Sequence, residues 1–172
     1  MTGIHNKPNT AAFTGHRIIA KSELAHVKEA LDETIGSLTD KGITLYMVGG
    51  ALGFDTLAAT AVLKAREHNP NIRLLMALPC AEQDSRWRES DKQFYRHLLN
   101  NADEIIYVSE QPYFKGCMEK RNRYLVEHSS ILVAYMTYGR SGTSQTVRLA
   151  LENGLTVINI KNKEGGDDNG AV

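Results

Sequence analysis

Leu24, Val27, Leu31, Ile35 and Leu38 recur at spacings of three and four residues, the period of a helix with one buried stripe. Ser22 stands where a side-chain N-cap belongs, and Gly42 where such a helix would stop. On either side the pattern switches to short unbroken apolar runs: TAAFT (10–14) before it, ITLYMV (43–48) and IRLLMAL (72–78) after it. Runs of this length suit strands covered on both faces. An alanine-rich helical segment through Ala58, Ala61, Val62 and Ala65 separates the last two and must close before Pro70. The alternation then continues: a helix over about residues 90–99, strand EIIYV (104–108), helix MEKRNRYLVEH (118–128), strand SILVAYM (130–136), helix SQTVRLALEN (144–153) and strand TVINI (156–160). Six strands alternating with five helices predict an α/β fold, a Rossmann-like three-layer α/β/α sandwich around a mostly parallel six-stranded sheet.

The pattern covers residues 10–160 as one domain. Residues 1–9 are polar and expected to be flexible, and KNKEGGDDNGAV (161–172) has too little apolar surface to order itself. A chain of 172 residues is long enough for one core and too short for two. Lys plus Arg, at 20, equals Asp plus Glu, so the net charge is zero. That balance argues against a nucleic-acid partner gripped through many backbone phosphates. Cys80 and Cys117 match no metal or redox spacing and read as free thiols of a reducing cytoplasm, while the six histidines are scattered. No metal and no cofactor is expected. No apolar leader or membrane-length run is present, so a cytoplasmic protein without a membrane partner is expected.

Three glycine-bearing turns directly follow predicted strands. They are Thr14-Gly15-His16-Arg17, the GGALG turn with Gly49, Gly50 and Gly53, and the GRSGTS turn with Gly139, Ser141, Gly142, Thr143 and Ser144. A parallel sheet puts all three on one edge, beyond the carboxyl ends of the strands, where ligands of such folds sit. Glycine permits close backbone approach, and amides at a helix start favour anions. Neither GxxxxGK[ST] nor GxGxxG is present, so the turns are either a phosphate cradle or only tight connections. Arg17 and Arg121 have the forked donors that suit phosphate. Arg121 and its neighbour Asn122 join the site only if their helix points its start there. Trp87 and Arg86, in the polar loop over residues 80–89, read as a base-stacking lid or as a surface plug. Asp55, Glu82, Asp84 and Glu119 are the carboxylates within reach of these loops.

With TGHR, GGALGFDTLAA, ALPCAEQDSRW, MEKRNRYLVEHSSILVAY and GRSGTSQTVRLA in this order, the chain resembles the YpsA-like family of the SLOG superfamily over about residues 10–160. That superfamily also holds the DNA-processing protein DprA and the LOG phosphoribohydrolases. The resemblance implies a Rossmannoid fold, a pocket for a nucleotide-derived small molecule, and a homo-oligomer paired through helices. The LOG hydrolases look like MxxRK followed by PGGxGTxxE, with the arginine and the final glutamate acting in catalysis. Met118 to Arg121 match the first motif and Gly142-Thr143 the GT of the second. Thr146 holds the place of the glutamate, and the proline and first glycine are not kept. Cleavage of an N-glycosidic bond passes through a cationic sugar that a carboxylate stabilises and a threonine does not. The resemblance therefore implies a sensor or sequestering protein without efficient catalysis, its phosphates lying across residues 49–53 and 139–144. Two alternatives stand beside it. One is a hydrolase of a nucleoside monophosphate or an ADP-ribose-like compound, using Arg121 with a relocated carboxylate at Asp55, Glu82 or Glu119. The other is a DprA-like partner of single-stranded DNA.

Overall fold

A computed structural model describes residues 7–137 and 139–160. In chain order the elements are β1 (Thr10–Gly15), α1 (Leu24–Asp40), β2 (Leu45–Val48), α2 (Phe54–His68), β3 (Arg73–Leu78), α3 (Glu89–Asn101), β4 (Glu104–Tyr107), α4 (Cys117–Glu127), β5 (Ile131–Tyr135), α5 (Gly142–Glu152) and β6 (Thr156–Asn159). The six strands form one parallel sheet in the order β4-β3-β2-β1-β5-β6. The chain therefore builds outward from β1 through β2, β3 and β4, then returns through α4 to lay β5 on the other side of β1. Strand order reverses between β1 and β5, and Ala11 pairs with Tyr46 on one flank and with Ile131 on the other.

Side chains along β1 alternate between two cores, as the period of two requires. Ala11 and Phe13 face the layer of α1, α2 and α3, where Val27, Leu31, Tyr46, Phe54 and Met76 are fully buried. Ala12 faces α4 and α5, among Met47, Leu75, Leu125, Leu132 and Val147. This is the Rossmann-like three-layer sandwich that the alternation of runs predicts, with every strand pairing parallel.

Helix starts depart from the expectation in two places. α1 opens through a 3-10 turn, Lys21–Glu23, and has no side-chain cap, so Ser22 does not serve as its N-cap. α5 starts at Gly142, two residues before the expected boundary, because Ser141 caps it. The Ser141 hydroxyl accepts from the Ser144 amide at 3.1 Å, and the Ser144 hydroxyl accepts from the Ser141 amide at 2.8 Å. Gly42, at φ +103°, ends α1 as expected. Lys7–Asn9 makes one turn, and the Asn9 carbonyl accepts from the Thr44 amide at 3.0 Å. Residues 1–6 and the tail 161–172 lie outside the described residues. Among the described residues no helix is long and apolar enough to cross a membrane.

Candidate functional site

Beyond the carboxyl ends of β1 and β5, where strand order reverses, lies a cavity of about 300 Å³. Thr14, Gly15, His16 and Arg17 line it from the end of β1, and Asp55 from the first turn of α2. Arg121 and Asn122 reach it from α4, and Ser141, Gly142 and Thr143 from the start of α5. Ligands of open parallel sheets bind at such reversals, because neighbouring connections leave in opposite directions and open a crevice. Phe13, Ile18, Ala51, Met118 and Leu125 complete the wall and are not prominent in the sequence. Of these, Ile18 carried a signal, the first of a pair of isoleucines directly after TGHR.

Arg121 is only 5% exposed. Its Nη1 donates to the Gly49 carbonyl at 2.6 Å, its Nε to Asn122 Oδ1 at 2.8 Å, and its Nη2 approaches Met118 Sδ at 3.9 Å. A Cβ at Gly49 would stand 2.2 Å from Nη1, so the missing side chain is what lets the guanidinium sit there. Gly53 serves similarly. It adopts φ +81°, and its Cβ would meet the Arg17 carbonyl oxygen at 2.1 Å. Gly49, Gly50 and Gly53 thus do not line this cavity: Gly49 and Gly53 make room for Arg121 and for the Arg17 backbone, while a Cβ at Gly50 would meet Leu78, Gln83 and Met76.

Asp55 is as buried as Arg121, and its Oδ2 accepts from the Ala51 amide at 3.1 Å. Burial pushes its pKa up to about 6, against the opposing pull of the Arg121 charge, the Ala51 hydrogen bond and the Arg17 charge. In turn, burial disfavours the charge of Arg121 and the Asp55 carboxylate supports it. His16 accepts the Thr137 amide on Nε2 at 2.9 Å, which places the proton of the neutral ring on Nδ1; burial lowers its pKa and so favours that neutral form. The His16 backbone is pinned on both sides, its N–H donating to the Tyr135 carbonyl and its carbonyl accepting from the Phe54 amide.

At the start of α5 the reciprocal cap engages both serine hydroxyls: that of Ser144 accepts from the Ser141 amide and donates to the Ser141 carbonyl, while that of Ser141 accepts from the Ser144 amide. The amides of Gly142 and Thr143 occupy the first two helical positions, which have no acceptor within the helix, and they carry the positive end of its dipole. Gly139 is exposed and stands off the cavity wall, as does Ser144.

The remaining candidates lie elsewhere. Trp87 is half-buried against Tyr95, ring centroids 5.0 Å apart and edge to face, and lines a second cavity. Arg86 is exposed and lines neither cavity. Glu82 is exposed, with φ 60°. Glu119 and Thr146 face a groove of about 190 Å³ between α4 and α5, and the Thr146 hydroxyl donates to the Gly142 carbonyl at 2.9 Å. Asp55 is the one carboxylate among the described residues that lines the switch-point cavity. Among those residues, no three His, Cys, Asp or Glu side chains gather as metal ligands would.

Comparison with known proteins agrees with this architecture. The SPbeta prophage-derived protein YoqJ of Bacillus subtilis is 35% identical over 116 residues, 61% of this chain and 68% of its own length. A UPF0398 protein of Halalkalibacterium halodurans is 32% identical over 65% of this chain, and the match spans only 60% of that protein. Among solved structures, DNA processing protein A from Helicobacter pylori, studied for its single-stranded DNA binding mode, superposes on 92% of this chain and 68% of its own. Its TM-score is 0.65 at 20% identity. DNA processing protein A from Streptococcus pneumoniae gives a TM-score of 0.64 at 21% identity, over 89% of this chain and half of that one. At such identities these likenesses concern the fold alone. A model of the YpsA family, described as the YspA SLOG family, matches residues 18–155, well over half of the sequence, and the chain belongs to that family.

Proposed function

We propose that this protein binds a nucleotide or nucleotide-derived small molecule in the switch-point cavity and holds it without efficient cleavage. The observation carrying this reading is the convergence of the α5 start, Arg17, Arg121 and Asn122 on one cavity. A phosphate there meets the Gly142 and Thr143 amides at the positive end of a helix, and the Arg17 guanidinium beside them. Arg121 has three of its five N–H groups engaged within the protein, so it supplies field and the remaining donors rather than a freely moving fork. Asp55 offers an acceptor for a sugar hydroxyl. Thr146, in the place of the LOG glutamate, supports holding over cutting: it carries no carboxylate, and it faces the groove between α4 and α5 with its hydroxyl on the Gly142 carbonyl.

Asp55 favours a second reading, since a carboxylate does line the cavity. In that case the protein hydrolyses an N-glycosidic bond, with ionised Asp55 stabilising the cationic sugar. One experiment separates the two. The protein is incubated with nucleoside mono-, di- and triphosphates, NAD, ADP-ribose, cyclic nucleotides and a short single-stranded oligonucleotide, then ultrafiltered, and both fractions are weighed by mass spectrometry. A nucleotide retained unchanged supports the holder. Free base and sugar phosphate appearing together, and vanishing with Asp55→Asn, establish the hydrolase. Retention of the oligonucleotide alone at physiological salt, or of nothing, refutes the proposal.

A further inference from the structure

A second cavity, of about 460 Å³, opens between the turn after β1, the start of α2 and α3. Its character differs from the first. The switch-point cavity gathers Thr14, His16, Asp55, Arg121 and Asn122 beside Met118 and Leu125, while the second gathers the rings of Trp87, Tyr95 and Phe94 beside Leu57, Arg88 and Asp91. Arg17 and Ile18 line both, so the two share a partition one turn of chain thick. That partition is seated directly on Gly53, whose missing Cβ leaves room for the Arg17 carbonyl.

The two chambers are also joined behind the partition. Gln83 Nε2 donates to the Tyr95 hydroxyl at 2.8 Å and approaches the Gly49 carbonyl at 3.5 Å, the same oxygen that Arg121 grips. Gln83 also approaches the Gly50 carbonyl at 3.4 Å, so the aromatic wall of one chamber and the buried cation of the other meet at the backbone of the Gly49-Gly50 turn. At the mouth, Ile18 is 89% exposed and Phe94 42%, apolar side chains held in solvent beside an aromatic pocket.

We infer that the second cavity takes the nucleobase of the ligand whose phosphate lies in the first, so that the site has two chambers astride Arg17. This rests on the binding reading above and specifies it. Flat aromatic rings stack on an indole or a phenyl face, and the Arg17 guanidinium adds a cation to the same surface. In the first chamber the rings of Phe13 and His16 are almost wholly buried and offer little open face.

Trp87 is the sole tryptophan of the sequence, so tryptophan emission reports the second chamber alone. The probes are AMP, ADP-ribose and ribose 5-phosphate, with binding measured by equilibrium dialysis and emission recorded on the same samples. AMP or ADP-ribose is expected to change the Trp87 emission saturably, with the midpoint that dialysis gives, and ribose 5-phosphate to bind more weakly without changing it. Phe94→Ala, which removes a partly exposed ring and leaves the core intact, is expected to weaken the base-bearing probes about tenfold and ribose 5-phosphate less than twofold. If a base-bearing probe binds by dialysis while Trp87 emission stays unchanged, or if Phe94→Ala weakens all probes alike, the two-chamber site is wrong and the binding reading survives. If dialysis finds no probe bound, both fall together.

Discussion

Substituting Gly49 with alanine tests how the site is assembled. An added Cβ would lie 2.2 Å from Arg121 Nη1 and 2.6 Å from Cζ, whereas ordinary contact begins at 3.4 Å. The guanidinium must withdraw by about 1 Å, since the other party is the Gly49 backbone itself, and the 2.6 Å bond to the Gly49 carbonyl is then lost. A hydrogen bond from a charged donor contributes about 1.5–3 kcal/mol, and overpacking a tight site costs about 1–3 kcal/mol more. The expected loss is about 3–5 kcal/mol, which for a domain of this size lowers Tm by roughly 10 °C. Urea and thermal unfolding followed by circular dichroism measure it. Gly36→Ala is the control: nothing lies within 4 Å of its added Cβ, in the middle of α1, and it should gain about 0.5–1 kcal/mol. The decisive comparison is with Arg121→Met. Without the guanidinium, Gly49→Ala should cost under about 1 kcal/mol, because the clash has no partner. An equal cost in both backgrounds would refute the claim that Gly49 is kept small for Arg121.

Asp55 gives stability a pH signature: a carboxyl raised from 3.8 to about 6 in the folded state makes the protein lose stability as pH rises from about 4 to about 6. The loss is on the order of 3 kcal/mol, and urea titrations of Asp55→Asn should lack that slope. His16 works in the opposite sense, since its lowered pKa makes folding less favourable as pH falls below 6.5; its imidazole resonances should stay neutral in NMR spectra at a pH where exposed histidines have protonated. Cys80 and Cys117 are both fully buried, and burial with the neighbouring Cys117 thiol raises Cys80. Iodoacetamide should therefore leave both unmodified in the native protein and modify both in urea, as read by intact mass. Labelling of either thiol at the rate of a free cysteine in buffer would contradict that burial.

Much of the fold was legible because each element carries its period within itself. Val27, Leu31, Ile35 and Leu38 are all buried, and each of the six apolar runs is a strand. The strand ends then place three turns on one edge, which was enough to bring Thr14 to Arg17, Asp55 and Ser141 to Thr143 together in advance. What local pattern could not carry was the purpose of the glycines. Gly49 is small because of a guanidinium 72 residues further on, and Gly53 because of a carbonyl oxygen in another turn. Sequence alone reads both as a phosphate loop, since glycine looks alike whatever fills the space beside it. Trp87 posed the same difficulty, since the loop that holds it has no period, and only the fold says which cavity it borders. Ser22 failed as a cap because a 3-10 turn absorbed it, a local choice that competes with capping at little energetic difference.

The sheet's strand order also has a consequence for synthesis. β1, the first strand made, occupies an interior position, and its far neighbour pairs through Ser130 and Thr10, 120 residues apart. On the ribosome β1 through β4 emerge in the order in which they lie, so this half has its partners as it is made. The other edge of β1 must wait for β5, its amides and carbonyls unpaired for the time taken to make those 120 residues, some 6–24 s at about 5–20 residues per second. The seam at the switch point thus closes only after the four strands on its other side have been made, and a nascent chain halted after β4 presents an open strand edge where the finished protein has its cavity.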